Sequence, residues 1–153
     1  MTLVAVKRTA VLNVVGLTQR HIGPDTPAIT QFLSLGQAAL IDPAFPAVTC
    51  TAQANYLTGQ RPSDHGIVGN GWYNHELAEV TFWKQPNQTV QSPKLWHDLR
   101  LANGGFTCAT MFWWFNMYAD VEWSATPRPT SSSRCWTAAT NGCGSLISAA
   151  DPL

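Results

Sequence analysis

Charge is scarce in this 153-residue chain: Asp, Glu, Lys and Arg make up 12% of it, about half the usual ~25%. With 45% apolar residues, that scarcity excludes a disordered tail or a charged coiled coil and predicts a chain that collapses and folds. Nine basic residues against nine acidic ones leave no net charge. The basic surplus that nucleic-acid or anionic-membrane binding normally needs is missing, so neither is an expected partner. Long apolar runs are missing as well. The longest, around Ala10–Leu17, is far short of the roughly 20 residues that span a bilayer. Lys7-Arg8 before Thr9–Leu17 imitates a signal peptide, but Asn13 interrupts the run and no small-residue cleavage site precedes Gln19-Arg20. The expectation is a buried first strand in a cytoplasmic protein. Cysteines are few, and Cys50, Cys108, Cys135 and Cys143 lack CxxC spacing. They read as free thiols, not as a disulfide framework or a zinc ribbon.

What is present suits a single loop-rich domain, because seven Trp, ten Pro and eleven Gly set large anchors between many turns. Ala10–Leu17 is β-rich and almost continuously apolar, the pattern of a strand covered on both faces. Thr26-Pro27 supplies a helix start, and Ile29, Phe32, Leu33 and Leu35 make a stripe that predicts a helix over 27–36. Ala38–Ile41 reads as a short second strand, closed by Asp42-Pro43. A helix over 49–58 stops at Gly59, and Gln60–Gly71 is too rich in Gly, Pro, Ser and Asp for regular structure. Glu79–Trp83 reads as a strand, 92–102 as a helix and 106–112 as a buried strand. Strands alternating with helices predict a parallel α/β sheet with helices on both faces.

From about Ser124 the organisation changes. Ten of the last thirty residues are Ser or Thr and only three are charged. The division expected is residues 1–123 as the α/β part and 124–153 as an irregular tail, of non-native or truncated origin.

The stretch most informative for chemistry is Phe45-Pro46-Ala47-Val48-Thr49-Cys50-Thr51, a proline-bearing turn that sets hydroxyls at a helix start. Backbone N–H groups there favour an anion, and a Thr so placed can accept a phosphoryl group once activated. The plain structural use of Thr49 is an N-cap. Phe45-Pro46-x-x-Thr49, then Tyr56-Leu57-Thr58-Gly59, then Pro62-Ser63-Asp64-His65-Gly66-Ile67-Val68-Gly69-Asn70, occur in that order. The series resembles the nucleotide pyrophosphatase and type I phosphodiesterase family of the alkaline phosphatase superfamily, over roughly residues 10–115. The resemblance implies an alkaline-phosphatase-like α/β fold, here incomplete, and a hydrolase of small phosphate esters. It makes Thr49 the nucleophile and a metal ligand, and Asn70 the amide that holds the phosphoryl oxygens. The implied cofactor is zinc, two ions in the family.

Two features depart from that pattern. Val15 occupies the place of the aspartate that binds metal after the first strand, with Asn13 the nearby neutral oxygen donor. The family's other Asp and His ligands belong to its C-terminal half, so the expected metal site is incomplete. His21, His65, His75 and His97 have no HxxxH or HxH spacing; His65 reads as the organiser of its loop, and Asp42 and Asp64 as turn residues. Cys50 invites comparison with sulfatases, but Cys50-Thr51-Ala52-Gln53-Ala54 lacks their Cys-x-Pro-x-Arg run. Trp113-Trp114-Phe115 and Tyr118 read as core packing before base stacking. Two functions stay open: the N-terminal portion of a phosphodiesterase-like hydrolase, inactive alone, and a non-catalytic binding or structural protein derived from that fold. The leaving group and the oligomeric state are not legible.

Overall fold

The apolar run near the N-terminus forms strand β1 at Thr9–Val14 in the computed structural model, which describes residues 8–127 and the backbone of 144–150. Helix α1 follows at Pro27–Leu33, and helix α2 at Thr49–Thr58. The one-turn helix α3 at Pro62–His65 precedes a hairpin of β2 (Gly71–Asn74) and β3 (Glu79–Phe82). Helix α4 at Leu95–Ala102 leads into β4 (Thr107–Met111), then β5 (Trp123–Ala125) and β6 (Gly144–Ala150). Among the described residues, no helix is long and apolar enough to cross a membrane.

The α/β class matches the expectation, but the main sheet is mixed instead of wholly parallel. Its order is β1-β6-β4-β5, with β4 and β5 parallel and β6 antiparallel to both β1 and β4. Strand β6 and the last two residues of β5, Ser124 and Ala125, form within the 124–153 segment expected to be irregular, while 128–143 and the residues beyond 150 lie outside the described residues. The strand expected at Ala38–Ile41 is absent; that segment is irregular, with Leu40 80% and Ile41 71% exposed. Four apolar residues have no ladder without a neighbouring strand, and Asp42-Pro43 turns the chain away before one can form. The Gln60–Gly71 stretch, expected to be irregular, instead holds the one-turn α3 and at Gly71 the start of strand β2, which is closed to β3 by Asn74 Oδ1 accepting the Glu76 and Leu77 N–H groups.

Strand β1 also departs from its expected burial, since every residue of it is exposed except half-buried Asn13. A two-sided apolar strand needs a packed layer on each face, and α1 buries none of its own residues. The core lies instead under α2 and α4. One cluster joins Cys50, Ala54, Ile67, Val90 and Phe115, flanked by half-buried Trp72, Trp83 and Trp114. A second joins Leu57, Trp96, Cys108 and Trp113. Helix α2 serves both, because its buried Cys50, Ala54 and Leu57 recur at helical spacing along one face. Arg100 of α4 reaches the carbonyl and carboxylate of Asp120 at 2.9 and 3.0 Å and Glu122 at 2.6 Å, while Glu122 accepts the Cys108 N–H at 2.7 Å.

Candidate functional site

Helix α2 begins without a side-chain cap. Extended Val48 stands at the cap position, so Thr49 is the first helical residue and its hydroxyl is not the N-cap. The Thr49 hydroxyl, half-buried, makes no hydrogen bond among the described residues. The amides of Thr49 and Thr51 are likewise unpartnered there, whereas the Ala52 N–H donates to the Val48 carbonyl at 2.9 Å. A free hydroxyl therefore stands among free N–H groups at the positive end of a ten-residue helix.

The loop that follows folds back onto this helix and is fastened at both ends. Near its start, His65 Nδ1 accepts the Ile67 N–H at 3.1 Å, which leaves Nε2 as the donor to Asn55 Oδ1 of α2 at 2.6 Å. His65 and Ile67 are fully buried, and burial holds the imidazole below its ordinary pKa. At the far end Asn70 Oδ1 accepts the Cys50 N–H at 2.9 Å. That bond seats Asn70 against the residue after Thr49 and leaves its amino group unpartnered among the described residues. The intervening turn requires a left-handed residue, supplied by Gly66 at φ 79.

The two residues expected to form the site are thus brought to one helix end. Val15 is not part of a ligand set: it lies in the turn after β1, apolar and 54% exposed. Among the described residues no three His, Cys, Asp or Glu side chains gather to hold a metal. The histidines are dispersed: His21 bonds Thr18, His75 meets the ring of Tyr73 edge-on, and His97 accepts the Lys94 N–H. An apolar Val15 and one alcohol are a poor donor set for zinc, so the described residues do not fit the two-ion centre that the resemblance implied.

Burial pushes the Cys50 thiol up to about 12, which disfavours its thiolate. Cys50 and Cys108 are free thiols, as expected, and both are buried; Cys135 and Cys143 lie outside the described residues. Trp113 and Phe115 are core residues and Trp114 packs on the core, while Tyr118 is 77% exposed and does not belong to it. Three supporting residues escaped the sequence reading. The Trp83 N–H donates to the Asn70 carbonyl at 2.9 Å, and its ring meets Trp114 edge-on at 5.2 Å. Gln53 accepts the Trp114 N–H at 2.7 Å, and Asn55 holds His65. The legible signal was a polar residue, Gln53, at a core-facing position of α2.

The family model described as Type I phosphodiesterase / nucleotide pyrophosphatase matches residues 9–149. The alkaline phosphatase PafA of Elizabethkingia meningoseptica is 41% identical over 46 residues. That stretch covers 30% of this chain and 8% of PafA, a small part of the relative's length. No solved structure matches.

Proposed function

The chain belongs to the type I phosphodiesterase / nucleotide pyrophosphatase family, and on that footing we propose that it carries the nucleophile-bearing part of a phosphate-ester hydrolase. Membership supports a hydrolase of small phosphate esters, and the mixed α/β arrangement is consistent with an incomplete alkaline-phosphatase-like fold. In this reading Thr49 Oγ faces the phosphorus of a small phosphate ester. The Thr49 N–H and the Asn70 amino group hold the non-bridging oxygens. The observation that carries it is the Asn70–Cys50 bond, which sets the amide of the His-Gly-Ile-Val-x-Asn loop beside an uncapped Thr49.

Binding and turnover separate here. A threonine hydroxyl is a weak nucleophile at neutral pH. His65 already uses both ring nitrogens, so it is not free to take the proton. With no fitting metal set among the described residues, these residues, in this reading, hold the ester without hydrolysing it. The rival reading, a non-catalytic binding protein on the same fold, draws on that observation and on Val15. The test is hydrolysis of an aryl phosphodiester with and without added zinc, beside phosphate binding, in this chain and in Thr49→Ala. Equal background hydrolysis, with phosphate binding weakened in the variant, is the expected result. Zinc-dependent turnover abolished by the substitution would overturn the claim of inactivity, and absence of any phosphate binding would overturn the anion site.

A further inference from the structure

A second concavity, of about 320 Å3, lies between the β2–β3 hairpin and the segment 88–91. Its lining includes Gly66, but neither Thr49 nor Asn70. The size is at the lower end for ligand sites and suits a molecule of one ring. Its chemistry is unusual for a surface hollow. The lining includes half-buried Trp72, which also packs against the first core cluster, the amide-bearing Gln88 and Gln91, and Lys84 as the single charged residue. Asp and Glu are absent from the lining.

These groups are available to a ligand. The side-chain amides of Gln88 and Gln91 have no partner among the described residues, and the Gln91 amide lies over Gly66, where a Cβ would meet its Cδ at 3.1 Å. Lys84 is 3.7 Å from Glu79, with both side chains about half exposed. An ion pair that long and that wet contributes little and leaves ammonium hydrogens free for another acceptor.

We propose that this cleft binds a monosaccharide bearing one acidic group. The apolar face of a pyranose ring fits an indole. Its vicinal hydroxyls each offer a donor and acceptors, which is what a pair of free amides can match on both sides. The Lys84 ammonium, only weakly engaged by Glu79 at 3.7 Å, has hydrogens left to select an acidic substituent through a charge-assisted bond. The site is separate from Thr49, and the proposal does not depend on the reading of that residue.

The experiment is a titration of the 15N-labelled chain with D-glucuronate and, in parallel, with glucose, following backbone, amide and indole N–H resonances. Glucuronate is expected to give saturating shifts centred on Trp72, Lys84, Gln88 and Gln91, with an affinity about tenfold above that of glucose, the size of one charge-assisted bond. Lys84→Ala, at an exposed residue, should reduce glucuronate to the glucose level. Gln88→Ala should weaken both sugars, and Thr49→Ala should change neither. No saturating shift with either sugar at about 10 mM, shifts insensitive to both cleft variants, or shifts centred on Thr49 and Asn70 would each overturn the proposal.

Discussion

Asn70 has two chemically different ends, and only one of them is occupied: Oδ1 takes the Cys50 N–H while the amino group stays free among the described residues. Asn70→Asp keeps an acceptor for that N–H but places a negative charge where the phosphate would lie. Its stability should therefore stay within about 0.5 kcal/mol of the parent, while phosphate binding falls at least about tenfold, as like charges demand. Asn70→Ala should lose both, with about 1 kcal/mol of stability gone with the hydrogen bond. Thermal melts beside phosphate titrations of the two variants distinguish a binding amide from a merely structural one. His65 gives the pH dependence. Its folded pKa lies below the ordinary value because it is buried, against smaller opposing effects of its backbone hydrogen bond and of Asp64. The unfolded chain thus takes up a proton near pH ~6.5 that the folded chain refuses, so stability falls as pH drops below that value and is flat above it. Melting curves from about pH 7.5 to about pH 5.5 should show that fall in the parent and a flatter profile in His65→Gln.

The elements that position the site were legible where local chemistry decides them. Helix α2 spans Thr49–Thr58 because a stripe of small and apolar residues ends at Gly59, which caps the helix in the left-handed region at φ 65. His65 was legible as the organiser of its loop through the turn residues around it. Strand β2 was not, because Gly71 hid a position where a Cβ would collide with the Phe82 ring, a close approach that only the partner strand explains. The exposure of β1 was also not legible, since an apolar run says that a cover is needed and not whether one is present. The loop that carries Asn70 supplies the prediction at this scale. Gly66→Ala must place a side chain at φ 79 against Gln91, costing about 1 kcal/mol or more. Hydrogen exchange should quicken at Ile67 and Cys50, while α4 keeps its protection. In the other cluster, Leu57→Ala should cost about 2–5 kcal/mol in chemical denaturation, because Leu57 is only 1% exposed.

At the scale of the whole molecule, apolar surface is spread far outside the two clusters: Phe32, Leu35, Leu40, Ile41 and Phe45 are 71% to 94% exposed, and Leu12 of β1 is 68% exposed. So much wet hydrocarbon predicts that the 153-residue chain binds a hydrophobic dye in its folded state and associates as its concentration rises. Dye fluorescence together with light scattering checks this; a dye-negative, monomeric chain at high concentration would contradict it. The sheet order carries a consequence in time. Among the described residues strand β1 is hydrogen-bonded to β6 alone, from Thr9 opposite Ala149 to Val14 opposite Gly144, so it waits for a partner far downstream in the sequence. On the ribosome that pairing must wait until residues 144–150 have emerged, and closing so long a loop is slow. Helix α2 and the loop held to it need no such partner, so a nascent chain halted after residue 127 should already protect Cys50 and Ile67 while β1 remains open to protease.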